Sequence, residues 1–371
     1  MRVLVTGGAG FIGSHLVDRL LADGHTVLVL DSLDPQVHSN GRPDYLAADA
    51  ELRVADVRDP DAVREAFADV DRVVHLAAAV GVGQSMYEIE RYTSVNAVGA
   101  AVVLEQAVQA RDRLEKVVVA SSMSIYGEGL YRCTAEDAHM APEPRPEPQL
   151  ARREWELRCP SCGGELDPLP TPETKPLQPT SIYAVNKRDH EEMFLAWGRA
   201  YGVPATALRF FNVYGPRQAL SNPYTGVAAI FASRLLNRRT PIVFEDGRQS
   251  RDFVHVSDVV DAVARALEPG AADFRALNVG TGKPTSVLEV AEVLGRHLGA
   301  ELGAEVKQQY RAGDIRHCFS DPSLARELLG FAAQVDFESG MSELCDWLAT
   351  QEATDLIEQA TAILAERGLT R

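Results

Sequence analysis

The stretch Thr6-Gly7-Gly8-Ala9-Gly10-Phe11-Ile12-Gly13 stands between a short apolar run, Val3-Leu4-Val5, and an apolar helical pattern over residues 11–23. Glycines spaced G-x-x-G-x-x-G at a strand-to-helix junction serve a specific purpose. Gly7 permits a tight turn, Gly10 lets the backbone approach a pyrophosphate, and Gly13 lets the helix pack closely on the strand. The helix N-terminus then offers free N–H groups and its positive dipole end to phosphates, with Phe11 and Ile12 beside them. A second apolar run, 26–30, ends in Asp31. A carboxylate there accepts hydrogen bonds from an adenosine ribose and repels a 2′-phosphate, so the expected cofactor is NAD rather than NADP.

Further short apolar runs at 52–54, 72–76 and 116–120 alternate with helical patterns at 60–68 and 91–110. This is the pattern of an α/β, Rossmann-type doubly wound parallel sheet. Asp56-Val57, after the third run, is placed to meet the adenine. We expect an NAD-binding domain over residues 1–211 and a smaller C-terminal substrate-binding lobe over 212–348, interleaved with the first. An amphipathic C-terminal helix should follow within 349–371.

The formal charge of −16, from 37 basic and 53 acidic residues, argues against a nucleic-acid partner. It leaves room for an anionic small substrate held by a local Arg cluster. Neither a run long enough to span a bilayer nor a signal-peptide layout is present, so a cytoplasmic protein without a membrane partner is expected. Five cysteines, an odd and low count, argue against a disulfide framework.

Tyr183 and Lys187 stand four residues apart in the helical pattern 182–201 and so share a face. A phenol is a poor base, with a pKa near ~10. A neighbouring ammonium and a positive nicotinamide favour its phenolate, which can then take a proton from a sugar hydroxyl. The run 116–120 leads into Ser121-Ser122-Met123-Ser124. At the carboxyl end of a parallel strand, a serine hydroxyl can meet the reacting oxygen.

The glycine loop, the Ser-Ser-x-Ser-x-Tyr-Gly segment at 121–127 and the Tyr183/Lys187 pair together resemble the extended short-chain dehydrogenase/reductases, in the nucleotide-sugar epimerase/dehydratase branch. The resemblance runs from Met1 to about Trp347 and includes His75-Leu76-Ala77-Ala78, Asn96, and the segments 208–216 and 251–256. It implies Ser122, Tyr183 and Lys187 as the catalytic trio. It also implies that Leu76, Ala77, Ala78 and Asn96 contact the cofactor, that Asn212, Arg251 and Arg311 hold a diphosphate, and that Asp314 holds the nucleotide ribose. Ser124 and Gln84 join the substrate contacts.

Dehydratases of this family carry an Asp-Glu pair where this chain has Met123-Ser124, and the related decarboxylases carry a Glu nearby. Neither is present, which leaves hydride chemistry and implies an isomerase: a nucleotide-sugar 4-epimerase acting through a 4-keto intermediate on a dTDP- or UDP-linked sugar. A looser likeness at 34–38, at 80–88 and in the cysteine insert is to the branch acting on dTDP-L-rhamnose. A ketoreductase or dehydrogenase using the same trio, or a non-catalytic NAD sensor, stays open. The family also implies a homodimer.

Residues 128–180 are rich in Pro, Glu and Arg, with poor periodicity. A connection this long needs to be functional or tied down. Cys159-Pro160-Ser161-Cys162 forms a Cys-x2-Cys turn, with Cys133 and His139 upstream. These four residues are candidate ligands for a structural zinc. Free cysteines in a loop over the site are the alternative.

Overall fold

The computed structural model describes residues 1–300, 303–311 and 313–370. Ala312, within the expected substrate motif, and Arg371, within the expected C-terminal segment, lie outside them.

Seven parallel strands form the central sheet: β1 (Arg2–Thr6), β2 (Thr26–Asp31), β3 (Glu51–Val54), β4 (Arg72–His75), β5 (Lys116–Ser122), β6 (Ala205–Phe210) and β7 (Arg275–Val279). Their order is β7-β6-β5-β4-β1-β2-β3. The chain reverses direction across the sheet between β1 and β4, so a crevice opens beyond the carboxyl ends of those strands. Strands covered on both faces carry continuous apolar runs, and β1, β2, β4 and β5 are buried along nearly their whole length. Helices α1 (Phe11–Ala22), α2 (Pro60–Ala66), α3 (Gly99–Ala110) and α4 (Ile182–Tyr201) cover the two faces.

Helix α4 begins where Ser181, in an extended conformation, accepts a hydrogen bond from the Ala184 N–H, and it ends at left-handed Gly202. The single helix expected over 91–110 is three pieces: Ile89–Thr93, a π-helical turn at Ser94–Val98, and α3. The extra residue in that turn brings Asn96 inward, where it is fully buried.

The second lobe carries strands Asn212–Tyr214, Ser250–His255, Pro284–Ser286 and His317–Cys318, with helices Val227–Leu236, Val287–His297 and Phe337–Leu348 around their own apolar cluster. Between these strands the chain returns to the first sheet to add β7 at its edge. The C-terminal helix is shorter than expected, Ile357–Glu366. Its approach is held in a non-helical course by Asp355, which is buried against Arg234 at 3.2 Å. No helix among the described residues is long and apolar enough to cross a membrane.

The insert is more ordered than its composition suggests. Leu130–Cys133 is the centre of a three-stranded antiparallel sheet, flanked by Ala138–Met140 and Asp167–Leu169. Strands of three or four residues are too short to show a period of two, and one contains Pro168.

The glycine loop is as tight as its spacing implies. A Cβ on Gly13 would lie 2.3 Å from the Gly7 carbonyl oxygen, and Gly7 itself has φ +72° with Ala77 pressed against it. Gly13→Ala is therefore expected to push the loop off β1 and cost about 1–3 kcal/mol. Thermal unfolding and the cofactor content of the purified variant check this, and a variant as stable and as cofactor-loaded as the parent would contradict it.

Candidate active site

One cavity of about 840 Å³ runs from the glycine loop across the end of β5 to the second lobe. Its first end is built mostly of backbone. Gly7, Gly10, Phe11, Ile12 and Gly13 line it, together with Asp31, Asp56, Val57, Leu76, Ala77 and Ala78. The N-terminus of α1 has no side-chain cap and no acid in its first turn, so its N–H groups remain available to an anion. A Cβ at Gly10 would meet only the Gly7 carbonyl, at 3.3 Å, which leaves the approach open.

Asp31 is nearly buried and already serves the loop, since its carboxylate accepts from the Ala9 N–H at 3.0 Å and the Leu33 N–H at 2.9 Å. Asp56 faces the same end. The Arg58 guanidinium donates to both of its oxygens, at 2.9 and 2.6 Å, and holds its carboxyl below the usual range. Asn96 is placed differently. It lies behind the wall, with its amide exchanging two hydrogen bonds with the Ala79 backbone, at 2.8 and 3.1 Å. It therefore shapes the 76–79 segment and is not among the cavity's lining residues. The glycine cradle, the uncapped helix end and the acid at the end of β2 fit an NAD dinucleotide.

The trio meets at the centre of the cavity. Ser122 ends β5, and its hydroxyl accepts from the Ser124 N–H at 3.2 Å and the Ser124 hydroxyl at 3.0 Å. Tyr183 and Ser122 line the same wall, and Lys187, one turn along α4, donates to the Ala120 carbonyl at 2.9 Å. The Tyr183 N–H donates to Ser85 at 3.1 Å, which ties the 81–85 loop to the first turn of α4. Burial pushes the Tyr183 phenol up to about 12, against a smaller opposing pull from Ser122, and pushes the Lys187 ammonium down to about 8. Both shifts have one cause, a site that disfavours charge until a ligand supplies it.

At the other end Gln84, Ser124, Asn212, Arg251, Arg311 and Asp314 all line the cavity. The Asn212 amide oxygen is buried without a partner. Arg251 is oriented by the carbonyls of Ser250, Ile315 and Arg316, at 2.7–3.0 Å. Arg311 pairs with Asp314 at 2.8 Å and stacks on Phe244.

One expectation is corrected. His139 pairs across the strand with Arg132, whereas Cys133 pairs with Ala138. Directly opposed residues share a face and neighbours alternate, so His139 points to the exposed side, away from the cysteines. Cys133, Cys159 and Cys162 do come together, with their sulfurs within 4.8 Å of one another.

Sequence reasoning missed the support beneath the trio. Tyr183, Lys187 and Glu191 recur every four residues on the buried face of α4. Glu191 receives two hydrogen bonds from Arg209 of β6, at 2.9 and 2.6 Å, and one from Ser121 at 2.8 Å. The four-residue spacing past Lys187 was the available signal.

The profile of the NAD dependent epimerase/dehydratase family matches residues 3–148 and 161–280. Over 353 residues the chain is 36% identical to dTDP-L-rhamnose 4-epimerase of Burkholderia thailandensis, covering 94% of this chain and 95% of the relative. It is also 36% identical to UDP-glucose 4-epimerase of Mycolicibacterium smegmatis over 355 residues, covering 94% and 98%. Among solved structures, UDP-glucose 4-epimerase of Thermotoga maritima with UDP-glucose superposes with a TM-score of 0.76 at 30% identity, covering 94% of this chain and 99% of that one. The UDP-glucose 4-epimerase of Thermus thermophilus in complex with NAD gives 0.74 at 31%, covering 94% and 99%.

Two outcomes follow. In cofactor-free protein, Tyr183 should titrate near pH 12, because burial opposes its anion. A positive nicotinamide beside it should lower that value by about two units. The difference in phenolate absorbance between the parent and Tyr183→Phe, with and without NAD, measures this, and an unshifted titration would contradict it. Glu191→Gln should destabilise the fold by about 3–5 kcal/mol, since it leaves the buried Arg209 charge without its partner. Denaturant unfolding with a change below about 1 kcal/mol would rule that out.

Proposed function

The chain belongs to the NAD dependent epimerase/dehydratase family, and we propose that it inverts C4 of a nucleotide-diphosphate sugar, an isomerase reaction, with dTDP-L-rhamnose or a close 6-deoxyhexose as its substrate. One observation carries this reading: Ser122, Tyr183 and Lys187 stand in the same cavity as the NAD cradle on one side and Asn212, Arg251, Arg311 and Asp314 on the other.

NAD bound in the cradle supplies the reversible hydride acceptor for the ring carbon. The chain's own residues do the rest. Tyr183, as phenolate, takes the proton of the 4-hydroxyl and returns it after the ring has turned. Ser122 holds the sugar oxygen in line with Tyr183, and Lys187 favours the phenolate. Arg251 and Arg311 hold the diphosphate while the sugar rotates. Met123 and Ser124, beside Ser122, provide no carboxyl for elimination or decarboxylation, so the keto sugar is reduced again rather than altered elsewhere.

The sugar assignment is supported by the Burkholderia relative, which shares nearly the full length. It is also supported by an apolar wall: Leu364 of the C-terminal helix packs against Gly83, and both line the cavity, a surface suited to a C6 methyl. Cysteines outside any disulfide accord with a cytoplasmic enzyme. We also propose a homodimer built from α3 and α4 of each copy, with the exposed Val98 and Val185 at its contact. A structural zinc on the three insert thiolates belongs to the same reading and takes no part in the chemistry.

The purified protein should carry NAD and interconvert dTDP-L-rhamnose with its C4 epimer without added cofactor, keeping a deuterium placed at C4. NMR of the product mixture reads this directly. Turnover that consumed NADH one for one would replace the epimerase with a reductase. Inversion of UDP-glucose alone would move the substrate to the hexoses.

A further inference from the structure

The insert that joins β5 to α4 lacks the core to hold itself. Its buried apolar cluster is Tyr131, Leu157 and Leu166 with Cys133 and Cys159, and Met140 partly buried against them. Small units of this size are usually stabilised by a disulfide or a metal. The Cys133 and Cys162 sulfurs are 3.6 Å apart, well beyond the ~2.05 Å of a disulfide. Four tetrahedral ligands at ~2.3 Å from a zinc place their sulfurs at about this separation.

The two turns are shaped alike. The Cys133 sulfur accepts from the Glu136 N–H, and the Cys159 sulfur accepts from the N–H groups of Ser161 and Cys162. Gly163, at φ +73°, closes the second turn by donating to the Cys159 carbonyl at 2.9 Å. Glu136, three residues after Cys133 as Cys162 is after Cys159, is exposed and is not among the clustered ligand atoms, so the three thiolates leave the fourth tetrahedral position to another donor.

From these turns, buried and half-buried polar contacts lead to the nucleotide end of the cavity. Glu156, three residues before Cys159, accepts from Arg316 at 3.0 and 2.5 Å and hydrogen-bonds His317 at 3.0 Å. The neighbouring Trp155 carbonyl accepts from Arg145 at 3.0 Å. Arg145 is held by both oxygens of Glu245, at 2.9 and 2.8 Å, and donates to the Asp314 carbonyl at 3.2 Å. The hydroxyl of Tyr131, two residues before Cys133, accepts from the His317 N–H at 3.1 Å. Residues 314–317, which include Asp314 and whose carbonyls at Ile315 and Arg316 orient Arg251, are thus tied to residues flanking both turns.

We propose that the insert is a metal-held clamp on the nucleotide site: a zinc-class divalent cation on Cys133, Cys159 and Cys162 fixes the 155–159 segment, and that segment fixes the loop that grips the nucleotide diphosphate. The clamp rests on the functional reading above, since the loop's ligand is the nucleotide. Part of this connection, residues 149–160 with Glu156 and Cys159, lies outside the residues that the family profile matches. Glu156 acts here as a positioning residue, because it touches the loop and not the cavity.

The test uses the full-length protein with its own NAD and dTDP alone as the probe. Metal analysis should find about one zinc per chain. Cys162→Ser should lose the metal and weaken dTDP about tenfold or more by calorimetry, with bound NAD unchanged, KM for the sugar nucleotide raised and kcat within about twofold. Glu156→Gln should keep the metal and still weaken dTDP, which separates the clamp from a folding defect. A metal content below about a tenth per chain with reduced thiols removes the site. Metal-free protein, or Glu156→Gln, that binds dTDP like the parent removes the clamp. Parent protein that turns over no nucleotide sugar, while its dTDP affinity still follows the metal, overturns the proposed function and leaves the clamp standing.

Discussion

The catalytic geometry depends on one buried ion pair. Glu191 and Arg209 join α4 to β6, each with only a few per cent of its side chain exposed. Ser121 donates to the same carboxylate from β5, and Arg209 reaches on to the Tyr126 hydroxyl at 2.7 Å, which in turn donates to Asn278 of β7. Three adjacent strands and the catalytic helix are thereby set in register by contacts that tolerate little shift. A buried pair of this kind gives little net stability over an apolar substitute of the same shape. What it supplies is position. Lys187 and Tyr183 lie one and two turns up the same face of α4, and their distance from Ser122 is set by where Glu191 is held.

The two ends of the cavity are built from different materials, and the difference matches what each must do. The cofactor end is formed by backbone at glycine, an open helix terminus and a carboxylate that already braces the loop. Little has to rearrange when a dinucleotide binds there, which suits a cofactor that stays through turnover. The nucleotide end is formed by side chains that neutralise one another, above all Arg311 and Asp314. On the proposed reading, a diphosphate and a ribose have to compete with that pair. A ligand that displaces such a pair gains less per contact than one that meets an unpaired charge.

Much of this was legible in the sequence. The glycine spacing, Asp31 at a strand end and the Tyr183/Lys187 interval each encode local geometry, and local geometry survives folding. Long-range partners were not legible. Nothing near Asn96 in the chain says that a π-helical turn carries it to the Ala79 backbone, and nothing near Glu191 names Arg209, eighteen residues on and across a strand. The insert failed for a third reason. Its strands are too short to show alternation, and the face on which His139 lies is set by pairing with Arg132, a register that composition does not reveal.

The opposed shifts at Tyr183 and Lys187 explain why so little catalytic machinery suffices. In a buried site without charge, a phenol moved up to about 12 and an ammonium moved down to about 8 are both closer to neutral than in water. Neither helps the other much in that state, because Lys187 is partly deprotonated near its own midpoint and Tyr183 is fully protonated. A single positive charge entering the cavity acts on both in a coupled way. It lowers the phenol directly, and the phenolate that forms then favours the charged lysine. The burial that disables the base in the empty site is therefore what confines its activation to the loaded enzyme, and the Glu191–Arg209 anchor keeps both groups close enough for that coupling to work.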